Sequence, residues 1–171
     1  MQIFVYHYMQ LFDPLEAKME KSATMETKVN IKASAEKFFD VYCNKTHHFG
    51  SILPEQIECV EIQKGEWGSE GSIICWYYSL EGKRCVCKEV VEDIDKKNKK
   101  MKFRVIEGDL LELYKTFNFI LQVTPEEQGS VVHWVIQYDK QNDLVSDPQA
   151  MLQLLILESN MLDVHLTMNT N

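Results

Sequence analysis

The stretch DPQAMLQLLILESNMLDVHLTM, Asp147 to Met168, decides the fold. Asp147 has the character of a helix cap and Pro148 suits a first helical position. From Gln149 the residues Met151, Leu152, Leu154, Leu155, Ile156, Leu157, Met161, Leu162, Val164 and Leu166 follow without a breaker. A single helix of that length extends about 30 Å, the width of a small domain. Its apolar positions go nearly all round the axis, so it needs cover on more than one side. Either it is the core helix of an α+β domain, or a strongly curved sheet wraps it and leaves a cavity between the two.

The chain upstream supplies the sheet. Met25, Thr27, Val29 and Ile31 alternate with Glu26, Lys28, Asn30 and Lys32, the period of a half-buried strand. Ser34 followed by Glu36 opens a short helix through Phe38, Phe39, Val41 and Tyr42. Extended regions then start at Pro54–Val60 and Ser72–Leu80, turn at Glu81-Gly82, and continue as Cys85–Asp93, Met101–Glu107, Tyr114–Val123 and Ser130–Tyr138. Short connections between all of these predict an antiparallel meander. Residues 1–23 fit no periodic template and read as an N-terminal extension, leaving 24–171 as one domain.

Composition narrows the function. With 171 residues, 45% hydrophobic and 26% charged, the chain has the make-up of one globular domain. A formal charge of −8 gives no footprint for nucleic acid or an anionic membrane surface. The longest aliphatic run, Leu154–Leu157, is far short of the roughly 20 apolar residues of a spanning helix. The apolar start, Met1–Phe12, lacks a basic leader and a small-residue cleavage site, so no signal peptide is expected. Five cysteines, an odd number in a chain that needs no staples, point to reduced thiols and a cytoplasmic setting.

Gly65-Glu-Trp-Gly-Ser-Glu-Gly71 lacks the Gly-Lys-Ser/Thr ending of a phosphate loop and reads as a turn between strands. Cys85 and Cys87 share one strand face about 6–7 Å apart, but nothing completes a four-ligand zinc site, and no metal is expected. In Met101–Glu107 the odd residues Met101, Phe103, Val105 and Glu107 oppose Lys102 and Arg104. In Cys85–Glu92 the odd set is Cys85, Cys87, Glu89 and Val91. Both odd faces point inward, and Glu89 goes with them. A carboxyl in an apolar interior is costly to ionise, so its pKa rises and it can exchange a proton near neutrality. Glu107, beside Gly108 at a strand end, reads as a mouth or turn residue.

Lys28–Phe39 (KVNIKASAEKFF), Gly65–Ser72 (GEWGSEGS), Lys88–Asp95 (KEVVEDID), Val105–Leu111 (VIEGDLL) and Val132-His-Trp134 together resemble the plant major latex proteins. These stand with the birch pollen allergen and the class 10 pathogenesis-related proteins. The resemblance implies a helix-grip fold: a seven-stranded curved antiparallel sheet wrapped around a long C-terminal helix, with two short helices, the second near Asn44–Ile52. It also implies a large hydrophobic cavity that binds small apolar or amphipathic metabolites such as steroids, hormones or alkaloids. Cofactors are not implied.

Three functions follow as expectations. The first is a carrier whose cavity is bounded by Cys85, Cys87, Glu89, Met101, Phe103, Val105, Leu155, Ser159 and Leu162. The second is an isomerase or cyclase of an alkaloid-like substrate, with Glu89 as general acid/base and Cys87 or Glu107 assisting. By resemblance, Glu89 falls on the acid/base Glu of norcoclaurine synthase, while Cys87, Met101 and Ile120 replace its Tyr, Lys and Asp. The third is a signalling module that recruits a protein partner, or a homodimer. Cytoplasm or latex is the implied location.

Overall fold

The computed structural model describes residues 22–168, so the N-terminal extension lies outside the described residues except for its last two positions. Strand β1 (Ala23–Ile31) leads to Ser34, whose hydroxyl accepts from the Lys37 N–H at 3.3 Å and starts α1 (Ala35–Asn44). A 3-10 turn, Thr46–His48, runs into α2 (Phe49–Ile52), where the second short helix was expected. Then come β2 (Ile57–Lys64), β3 (Ile73–Leu80), β4 (Lys83–Asp95) and β5 (Lys100–Gly108). A further single-turn helix, α3 (Leu110–Leu113), precedes β6 (Tyr114–Pro125), β7 (Ser130–Lys140) and α4 (Gln149–Met168). The seven strands form one antiparallel sheet in the order β1-β7-β6-β5-β4-β3-β2. A meander from β2 to β7 takes β1 on its far edge.

The two-residue turn Glu81-Gly82 sets the register at the centre. Both residues have positive φ, 50° and 77°, as a type I′ hairpin requires. Leu80 therefore faces Lys83, and counting back places Tyr78 opposite Cys85, Trp76 opposite Cys87 and Ile74 opposite Glu89. A slip of one residue would turn all of them to solvent.

The β4–β5 register holds the first correction. Lys88 faces Glu107 while Glu89 faces Val105, which leaves Ile106 as an extra residue in a β-bulge. Met101, Phe103 and Val105 are buried as the alternation predicts, but the bulge reverses the face beyond them. Glu107 turns outward and takes Lys88 Nζ at 3.1 Å on both oxygens. It is neither a mouth residue nor placed to assist Glu89. Gly108 follows with φ 118°, where a Cβ would lie 2.1 Å from the Val86 carbonyl oxygen. That close approach lets the Asp109 carboxylate accept from the Val86 N–H at 2.7 Å.

Helix α4 lies across the inner face with Met151, Leu152, Leu154, Leu155 and Leu162 buried. Its apolar positions are not all covered, since Leu157 and Val164 are exposed. Its start also differs from the sequence reading. Leu152 N–H donates to the Pro148 carbonyl, so Pro148 holds the cap position. The Asp147 carboxylate instead accepts from Tyr138 Oη at 2.7 Å and pairs with Lys140 at 2.8 Å.

Two contacts fix the helix to the sheet. Asp163 accepts from the backbone N–H groups of Lys32 (3.0 and 3.1 Å) and Ala33 (2.8 Å), pinning the helix to the corner between β1 and α1. Trp134 Nε1 on β7 donates to Ser159 Oγ at 3.0 Å, and that hydroxyl donates to the Leu155 carbonyl at 2.8 Å. Replacing Asp163 by Ala leaves two backbone donors unpaired and is expected to lower the unfolding free energy by about 1–3 kcal/mol, read by urea denaturation; Asn restores part of it.

Candidate functional site

The inner faces of β3 and β4 meet α4 over a void of about 40 Å³. That is room for about three water-sized bodies. The large cavity that the resemblance implies is thus mostly occupied by side chains in this conformation. Six aromatic rings stand in the wall: Tyr42 from α1, Trp76 and Tyr78 from β3, Phe103 from β5, Phe119 from β6 and Trp134 from β7. Ile57, Met151, Leu154 and Leu155 complete the apolar lining, and Cys87, Glu89 and Glu158 bring the polar groups.

Glu89 points inward as the alternation requires and is only 4% exposed. Its Oε1 accepts from Trp76 Nε1 at 2.8 Å, a diagonal cross-strand contact set by the register of the hairpin. Burial pushes the carboxyl up to about 7, against the opposing effect of the indole hydrogen bond. The thiol of Cys87 next to it is held well above the ordinary thiol range, first by burial and then by Glu89. It is a neutral, weakly polar neighbour.

A second acid faces the same void. Glu158 on α4 is also 4% exposed, and its Oε2 accepts from Tyr42 Oη at 3.1 Å. Burial pushes it up to about 8, and Glu89 adds to the shift while the Tyr42 bond opposes it. Sequence reasoning passed over this residue among the leucines. The signal was present: Glu158 stands seven residues after Met151 and four before Leu162, on the stripe that meets the sheet. Trp76, Tyr42 and Trp134 were likewise not expected as walls.

Of the residues named from sequence, Cys87, Glu89, Phe103 and Leu155 come together at the void. Met101, Val105, Cys85 and Leu162 are buried in the core around it, outside its lining. Ser159 is buried with its hydroxyl committed to Trp134 and Leu155, so it positions the helix. All five cysteines are free thiols. Among the described residues no group of His, Cys, Asp and Glu has the arrangement of a metal site, and no helix is long and apolar enough to cross a membrane.

The fold and this site can now be set beside known proteins. Residues 20–169 match the Pathogenesis-related protein Bet v 1 family, and the chain belongs to it. It is 42% identical over 153 residues to MLP-like protein 34 of Arabidopsis thaliana, covering 88% of this chain and 48% of that protein. The chain thus spans about half the length of that relative. The crystal structure of ginseng major latex-like protein 151 from Panax ginseng superposes with a TM-score of 0.82 at 30% identity, over 84% of this chain and 97% of that one. Norcoclaurine synthase from Thalictrum flavum superposes with a TM-score of 0.73 at 19% identity, over 88% and 89% of the two chains, which shows a shared fold.

The two raised carboxyls have a consequence for stability. An unfolded Glu titrates at about 4.3. Stability contributed by the protonated folded forms is therefore fully present below that pH and is lost as pH rises through about 7 for Glu89 and about 8 for Glu158. Urea titrations are expected to show this decline, on the order of 4 to 5 kcal/mol per carboxyl. The Glu89→Gln/Glu158→Gln double variant should flatten it, and a wild-type curve level across that window would contradict the assignment.

Proposed function

We propose that the protein binds and carries a small, mostly apolar metabolite in the space between the sheet and α4. The observation that carries this reading is the void itself: it is walled by aromatic and aliphatic side chains, with a few converging polar groups, which is the make-up of a small-molecule site. Members of the Bet v 1 family commonly bind hydrophobic ligands, which supports the same conclusion. A pocket for a whole metabolite occupies roughly 300 Å³ or more. Uptake therefore displaces side chains, and Met151, unbranched and adaptable, is the readiest to move. Steroid, hormone-like and alkaloid skeletons all fit such a wall. The five free thiols support a reducing compartment, the cytoplasm or the latex.

One observation favours a second reading, an isomerase or cyclase acting by proton transfer. Glu89, 4% exposed and pushed up to about 7, can both give and take a proton at the void. The residues at Cys87, Met101 and Ile120 differ from the Tyr, Lys and Asp of the norcoclaurine synthase pattern, which argues against that condensation. A double-bond shift or ring closure needs only the single acid.

A panel of a steroid, a cytokinin, a flavonoid and an alkaloid separates the readings. The carrier is expected to change the fluorescence of Trp76 and Trp134 with at least one class and to return every ligand unaltered by mass spectrometry. Conversion of a ligand, slowed about 10²–10⁴-fold by Glu89→Gln, would establish the enzyme instead. No response from any class would overturn the pocket reading.

A further inference from the structure

Glu158 has no part in either reading above, yet it shares a void with Glu89 from the opposite wall. Each carboxyl uses one oxygen to accept a hydrogen bond, from Tyr42 or from Trp76, and the second oxygen has no partner among the described residues. Neither Lys, Arg nor His lines the void, so two buried acids face each other with no counter-cation. An independent observation points the same way. Tyr78 lines this void, is 5% exposed, and its hydroxyl has no hydrogen-bond partner. Buried polar groups ordinarily have partners, and the unpartnered Tyr78 hydroxyl beside two carboxyls that each use one oxygen leaves room for a ligand that supplies them.

The walls add a preference for charge. The faces and edges of Tyr42, Trp76, Phe103, Phe119 and Trp134 surround the carboxyls, and aromatic rings attract a desolvated ammonium. We infer that the site recognises an organic cation: a small apolar molecule bearing one protonated amine, whose N–H groups lie between Glu89 and Glu158 with the Tyr78 hydroxyl as a third contact. This rests on the reading of the interior as a ligand pocket and names the class of molecule it selects.

Charge and protons balance simply. The ammonium enters carrying its charge, one carboxyl proton leaves to solvent, and the resulting carboxylate pairs with the ammonium while the other acid keeps its proton. The titratable groups facing the site are Glu89 and Cys87 from β4, Tyr78 from β3, Tyr42 from α1 and Glu158 from α4. Burial holds both phenols and the thiol protonated, so titration near neutrality belongs to the carboxyls.

The test is isothermal titration of the full chain with 2-aminoindane, an ammonium at neutral pH, and with its neutral isostere 2-methylindane. Affinity for the amine should rise about tenfold per pH unit from about pH 5.5 to 7, with about one proton released, while the isostere shows no such rise. The Glu89→Gln/Glu158→Gln double variant, which removes both ionisable acids, should weaken the amine at least about tenfold relative to the isostere. Equal, pH-independent affinities in the wild type would overturn the cation site and leave the apolar pocket standing; this comparison needs no variant to fold. Full amine affinity in the folded double variant would also overturn it. Binding of neither probe would remove the pocket reading along with it.

Discussion

Two carboxyl groups sit inside an apolar shell that offers them no cation, and the rest of the interior is arranged around that constraint. An ionised pair in such a place would be very costly, so the acids keep their protons to higher pH than exposed carboxyls do. Each is steadied by one donor, the indole of Trp76 or the phenol of Tyr42. Those donors depend on distant parts of the chain. Trp76 reaches Glu89 because the Glu81-Gly82 turn sets one register. Tyr42 reaches Glu158 because α1 is packed under the sheet, where the Tyr42 ring meets Phe38, Phe49 and Trp134. Asp163 and Ser159 then hold α4 at the matching height.

Much of this was legible in the amino-acid order. Alternation in Cys85–Val91 and Met101–Val105 places a carboxyl among inward side chains without reference to any relative, because strand geometry admits only two faces. The long helix was legible from its apolar content. What escaped had physical causes. A bulge at Ile106 leaves no mark in the pattern, and it reverses the face of Glu107. Asp147 has the chemistry of a cap, but tertiary partners at Tyr138 and Lys140 claim its carboxylate. Glu158 was hidden by composition: on a helix apolar nearly all round, the periodicity that marks the inward stripe is weak, and a single acid does not announce its direction.

The small size of the void belongs with its chemistry. Its wall holds six aromatic rings and Met151, whose unbranched side chain adapts to its surroundings. Opening it for a ligand exchanges side-chain contacts for ligand contacts, and the polar groups then decide which molecules gain from the exchange. Family membership gives the fold, and members of the family commonly bind apolar molecules. In the proposed reading the choice among those molecules rests with Glu158, Tyr78 and Glu89.

The central claim is that both acids hold their protons well above the ordinary carboxylate range inside the protein. A carbon-13 NMR titration of the glutamate side-chain carboxyls reads this directly. Two resonances should titrate as an interacting pair with midpoints near about 7 and about 8, well apart from the other glutamates. If every glutamate titrates in the ordinary range near about 4.3, the buried acid pair and the account built on it are wrong.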